Sequence, residues 1–250
     1  MTVTVSSLPA PGTARPAAPS TGTLTGLEVR KSLSTRSGRA VATAAVVLGP
    51  LGVVLASLTG EGTFPAAVAL GFIGMLTALV LLALGVLSTA GEWTHKSVQT
   101  MFLLVPQRGR VLLAKALALA LQGAVLAALG AGLSLALLWL IPDPVAWTAA
   151  GPAVVVAVAA GAAFAVIGAG IGAALGNSPA ALTGAYLTML GVLPVLQAVK
   201  PEWAEKLDPA TAIVTMAQSG VTTTPVLVIA GWVVVASVAG WVLTSRRAVQ

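Results

Sequence analysis

Long apolar runs, broken by short polar stretches, set the pattern of this chain. Six runs reach the length that crosses a bilayer, about 20 helical residues for about 30 Å. They fall at about 40–58, 65–90, 111–140, 149–175, 180–199 and 225–243. Their boundaries carry helix signals. Pro65 suits the first turn of the second run. Gly-Asn-Ser-Pro, 176–179, makes a tight turn between the fourth and fifth, and Arg246 and Arg247 stop the sixth. The pattern predicts an all-α integral membrane protein with six transmembrane helices.

The flanking segments are different. Residues 1–25 are mostly Pro, Ala, Ser, Thr and Gly with one charge, Arg15. They read as a disordered cytoplasmic tail, without the basic start and apolar core of a secretory signal. A short amphipathic helix is predicted from Gly26 to about Ser37. Thr25 and Glu28 have capping-box spacing, and Leu24 and Val29 can close a hydrophobic staple around it. Leu27, Val29 and Leu33 offer apolar contact, while Arg30, Lys31, Arg36 and Arg39 bring positive charge. Such a helix is expected to lie on the membrane interface. Before the last run, residues 200–224 predict two short helices. One starts at Pro201; the other has Asp208 as cap, Pro209 in its first turn and Gly220 at its end. Neither is long enough to span, so they are expected to be extracellular or re-entrant.

Composition sharpens this picture. The chain is 57% hydrophobic and only 8% charged, whereas a soluble domain carries about 25% charged residues. Lipid must therefore be the solvent for most of it. The net charge of +6 does not indicate nucleic-acid binding, because the basic residues stand at the ends of apolar runs. Of the 13 Lys and Arg residues, 11 fall in the N-terminal segment, around Arg108 up to Lys115, and at the C-terminus. The other faces hold Lys200 and Lys206 beside five acidic residues. That asymmetry predicts cytoplasmic N- and C-termini in a multi-pass protein of the plasma membrane.

Candidate chemistry is sparse. There is no cysteine and only one histidine, His95, which excludes disulfides, thiolate metal sites and any site needing two imidazoles. Glu92-x-x-His95 is half of a metal site and nothing completes it. No His-Glu-x-x-His helix and no buried pair of aspartates supports intramembrane proteolysis, so no catalytic, metal or cofactor residues are assigned. Gly168–Gly176 is glycine-rich but lacks the Lys-Ser or Lys-Thr of a phosphate cradle. Gly168, Gly172 and Gly176 stand four apart on one helix face, as close helix packing requires. The runs lack ionisable groups between their interfacial ends, which weighs against an ion-coupled carrier. Gln122, Ser134, Thr183, Tyr186 and Thr188 are polar within spans. Hydrogen bonds between helices or to their own backbone are favoured over a substrate path.

The most informative stretch is GEWTHKSVQTMFLLVPQRGR, 91–110. Glu92, Trp93, His95 and Lys96 follow the second run. Val98, Met101, Phe102 and Val105 then recur at i, i+3, i+4, i+7, a helical face that Pro106 ends. Gln107, Arg108, Gly109 and Arg110 turn the chain back. Two readings stay open: a coupling element whose apolar face enters a partner's groove, or a solvated loop whose charges set orientation.

Three stretches together resemble the type-2 ATP-binding-cassette exporter permeases, especially short bacterial subunits with a separate ATPase. They are LEVRKSLSTRS, 27–37; GEWTHKSVQTMFLLVPQRGRVLLAKALA, 91–118; and GNSPAALTGAY with the later LDPATAI. The resemblance covers about residues 27–247. It implies a six-helix permease domain over 26–250 that pairs with itself or a similar chain and engages two cytoplasmic ATPase subunits. It further implies that Glu28, Arg30, Lys31, Glu92, Trp93, His95, Val98, Met101, Phe102, Pro106 and Arg108 lie in the segments that contact the ATPase. ATP would be bound by that partner, and the exported substrate class stays open among small molecules, peptides and lipids. An ATP-independent carrier and a non-transporting membrane anchor are the alternatives.

Overall fold

The computed structural model describes residues 20–59, 63–94, 108–141 and 144–247. It is helical almost throughout. Helix α1 (Thr21–Ser34) leads into α2 (Arg36–Thr59), α3 (Ala66–Thr94), α4 (Arg108–Leu140) and α5 (Ala150–Leu175). A helical segment, α6, follows over Ser178–Val199. Short helices α7 (Pro201–Ala204) and α8 (Pro209–Ser219) precede α9 (Thr223–Arg246). Among the described residues, α2, α3, α4, α5, α6 and α9 are long and apolar enough to cross a membrane. Their bounds agree with the predicted runs to within a few residues.

Helix α1 starts earlier than predicted. Thr21–Thr25, placed in the disordered tail, form its first turn. Ser20 is the cap, its Oγ accepting from the Thr23 amide at 3.1 Å. The Thr25–Glu28 capping box does not form. Thr25 is inside the helix and its hydroxyl donates to the Thr21 carbonyl at 2.9 Å. The earlier start buries Leu24 against Val111 and Ala114 of α4. Extended Thr35 then separates α1 from α2, and its Oγ1 accepts from the Gly38 amide at 3.0 Å.

Helices α3 and α5 form the centre and run parallel. Close approach is possible because glycines meet backbone. A Cβ on Gly168 would overlap the Leu82 carbonyl, and one on Gly172 would lie 2.9 Å from the Val86 carbonyl. Phe164 and Ile167 of α5 pack with Leu82 and Val86 of α3 in a buried core. Helix α4 runs antiparallel against α5 through Gly123 and Gly161, and α9 lies parallel to α5 through Gly170 and Gly240. Gly176 differs from its expected role. It ends α5 in a left-handed conformation, φ 63°, its amide donating to the Gly172 carbonyl. This is a glycine C-cap rather than a helix-packing position.

Two connectors meet where α3 and α5 begin. Phe64–Pro65 (β1) and Val145–Ala146 (β2) form a two-residue parallel bridge, too short to be read from the pattern. Helix α8 packs against the same ends, with Ala217 facing Gly71 and Ile213 near Gly74. Its cap Asp208 is buried and accepts from the Ala210 amide at 2.8 Å and the Thr211 hydroxyl at 2.5 Å.

Helix α6 is not uniform. It runs as α-helix over Ser178–Tyr186, widens to a π-helix over Leu187–Val192 and resumes over Leu193–Val199. Asn177 caps its start. The Leu193 amide bonds the Thr188 carbonyl, five residues back. Pro194 follows and has no amide hydrogen to give, so the wide turn accommodates it.

Candidate functional site

The α1 face that meets the bundle carries Leu24, Glu28, Lys31 and Ser32, one helical stripe. The facing stripe of α4 carries Val111, Lys115, Ala118 and Gln122. Lys115 is the centre of the contact. Its Nζ donates to a Glu28 carboxylate oxygen on α1, to Glu92 Oε1 on α3 at 2.5 Å and to the Ser88 carbonyl at 3.4 Å. Three acceptors therefore match the three hydrogens of the ammonium. Lys31 completes the group, 2.5 Å from Glu92 Oε1 and 3.9 Å from Glu28 Oε1.

Burial makes this cluster distinctive. Lys115 is 4% exposed, Glu28 5% and Glu92 7%. An ionised side chain in such surroundings persists only when paired. Among the described residues, two lysines here face two glutamates, so their charges balance. Next along the seam, Gln122 Nε2 donates to Ser32 Oγ at 2.5 Å and to the Val29 carbonyl at 3.3 Å. Arg110 Nε donates to Thr21 Oγ1 at 3.3 Å. Helix α1 is thus fixed along its length by polar bonds to α4.

A second tie lies at the same end of the bundle. Arg247, just past α9, donates to the Ala173 and Ala174 carbonyls at 3.0 and 2.5 Å, covering the open C-terminus of α5. Its guanidinium sits 4.8 Å from the ring centroid of Trp93, the neighbour of Glu92. The ends of α3, α5 and α9 and the start of α4 are therefore joined to α1. No protein-family model matches the chain, and no curated protein sequence matches it. The chemistry of the site rests on its own residues.

The predicted site residues separate clearly. Glu28, Lys31 and Glu92 are brought together, and Trp93 lies beside them. Arg30 is exposed on the far side of α1. His95, Val98, Met101, Phe102 and Pro106, and the side chain of Arg108, lie outside the described residues. Sequence counts Lys115 only among the basic residues at the ends of the apolar runs, whereas the structure makes it the hub. Its signal was an ammonium within an apolar helix, for which a paired acid is the expected partner. Four of the five polar residues in the spans hydrogen-bond to backbone or between helices. Ser134 and Thr188 donate to carbonyls four residues back, Tyr186 to Leu79, and Gln122 to α1. Thr183 is exposed. No group of three His, Cys, Asp or Glu able to hold a metal occurs among the described residues.

Mechanically, the cluster sits where α3 ends and α4 begins. Residues 95–107 connect those two ends. Lys115 joins both ends to α1, and separating them would strand buried charge.

Proposed function

We propose that the chain is the membrane-spanning permease subunit of an ATP-binding-cassette exporter, with ATP hydrolysed by a separate cytoplasmic subunit. The observation that carries this reading is the Lys115 cluster. It ties an amphipathic N-terminal helix to both helix ends that flank segment 95–107. A subunit driven by a partner needs such a rigid receiving element. The partner would engage residues 95–107, with Val98, Met101, Phe102 and Pro106, and the exposed face of α1 around Arg30. Two ATPase copies would serve a pair of permeases.

Charge distribution supports an orientation with both termini cytoplasmic. Arg30, Lys31, Arg36, Arg39, Arg110, Lys115, Arg246 and Arg247 belong to the end that holds α1. Lys200, Glu202, Glu205, Lys206 and Asp208 belong to the other, where α7 and α8 would sit as extracellular or re-entrant helices. Apolar residues exposed on α2 and α6, such as Leu51, Leu55, Leu187 and Leu190, leave surface for lipid and for a second permease, identical or similar.

ATP-driven closure of the partner would push segment 95–107. The ends of α3 and α4 and all of α1 would then move as one body. Purifying the tagged protein in mild detergent and identifying co-purifying chains by mass spectrometry tests this. A stoichiometric ATPase, lost on Phe102→Asp, is the expected result. A clean preparation without an ATPase, under conditions that keep known complexes intact, would overturn it.

A further inference from the structure

A groove of 390 Å³ runs between α4, α5 and α9, with Thr89 of α3 at its floor. That volume falls within the range of small-ligand sites, about 300–1,000 Å³. Its walls are mostly apolar or small, Leu113 on α4, Val166 and Gly170 on α5, Ser237 and Trp241 on α9, and Lys115 of the buried cluster also lines it. Gly170 is held free of a side chain by its contact with Ala236. Leu113 and Trp241 remain more than half exposed, at 55% and 57%, so the groove opens sideways between helices whose solvent is lipid.

Thr89 points to an occupant. It is 3% exposed, and its Oγ1 has no hydrogen-bond partner among the described residues. A buried hydroxyl without a partner costs about 1–3 kcal/mol, and a helical threonine ordinarily donates to its own backbone. An acceptor entering the groove would satisfy it. The shape admits an acyl chain, and an ester carbonyl at its head is an acceptor of the right kind. The end of the bundle where the groove begins, at Gly109, bears Arg110 and Arg246, the latter exposed. The described carboxylates there, Glu28 and Glu92, are buried against lysines. A phosphate headgroup therefore meets net positive charge.

We propose that this groove binds one acyl chain of an anionic membrane phospholipid, the Thr89 hydroxyl donating to its ester carbonyl. The site goes beyond the permease reading and does not depend on it. Bound lipid would fill the gap between α4 and α9, which otherwise touch little, and so brace the end of the bundle that holds the Lys115 cluster.

Quenching of tryptophan by acyl-brominated lipid tests this without any transport assay. The protein is reconstituted in phosphatidylcholine vesicles with rising fractions of brominated phosphatidylglycerol. The Trp241 signal is the difference between wild type and Trp241→Phe. It should saturate at a lipid fraction several-fold below that needed with brominated phosphatidylcholine. Thr89→Val, isosteric and without a hydrogen bond to lose, should raise that fraction several-fold. Ala116→Phe, which fills the groove and leaves Thr89 in place, should abolish saturation. Quenching that simply follows bulk lipid fraction, equal saturation by the two lipids, or an unchanged Thr89→Val would each overturn the proposal.

Discussion

Lys115 near the start of α4 and Glu92 in the last turn of α3 are joined at 2.5 Å, both buried, and the same ammonium holds Glu28 of α1. One side chain thus fixes three helices. Removing it takes from two buried carboxylates the one buried lysine that both of them pair with. Breaking a buried pair from one side costs about 3–5 kcal/mol. Lys115→Met should lower the thermal midpoint of the detergent-solubilised protein sharply, followed by fluorescence-detected gel filtration. Adding Glu28→Gln to Lys115→Met should regain part of the loss, because it restores neutrality. A Lys115→Met protein as stable as wild type would show that the cluster does not hold α1.

The same geometry separates two variants that sequence alone treats alike. The resemblance places Phe102 and Glu92 alike in segments that contact a partner ATPase, so a substitution at Glu92 is expected to act on that contact. The burial of Glu92 between Lys31 and Lys115 changes that. Glu92→Lys places a third cation in the cluster and should reduce the amount of folded protein in the membrane. On the permease reading proposed above, Phe102→Asp puts a charge where the ATPase would bind, and it should leave folding and α1 protection intact while abolishing ATPase binding. Hydrogen exchange of α1 beside the pulldown distinguishes them. Folded Glu92→Lys with native α1 protection would refute the structural role.

The legible part of this protein was local. Runs of apolar residues mark the six long helices, the Asp208 cap marks the start of α8, and Gly-Asn-Ser-Pro marks the turn before α6, because these signals act over a few positions. The hub was not legible, because Glu28, Glu92 and Lys115 are brought together across 87 and 23 residues by packing. Lys115 near a helix start reads as an interfacial anchor until α1 is laid over it. The Thr25–Glu28 box does not form because packing of Leu24 on α4 goes with a helix start at Ser20, which puts Thr25 inside the helix. Gly176 shared its spacing with Gly168 and Gly172, yet its place after the last turn gave it the left-handed cap.

Close packing at the centre predicts opposite outcomes for two glycines. At Gly168 a methyl group would overlap the Leu82 carbonyl, so α3 and α5 must separate. Gly168→Ala should destabilise by about 1–3 kcal/mol, the usual cost of overpacking. A Cβ at Gly184 in α6 meets nothing within 4 Å, so Gly184→Ala should gain up to about 1 kcal/mol from helix propensity. Thermal midpoints of the two variants, measured side by side, check the pair. Similar shifts would mean that α3 and α5 are not in backbone contact.

Among the described residues, three positions have positive φ, and they are not equivalent. Gly176 and Gly220 have φ of 63° and 87° and carry no side chain, whereas Ala149 holds φ 60° and ψ 11° just before α5. A left-handed conformation costs a residue with a Cβ roughly 1–2 kcal/mol. Ala149 is exposed, so its methyl group offers little packing in return. Ala149→Gly should therefore stabilise the protein by about 0.5–1 kcal/mol after the wider freedom of the unfolded chain is deducted. Gly176→Ala should do the reverse and more strongly, since its Cβ would stand 2.5 Å from Arg247 Nη1 and displace the guanidinium from the end of α5. If Ala149→Gly is instead destabilising, the turn that starts α5 does not use the left-handed conformation, and α5 must begin by a different path from the β1–β2 bridge.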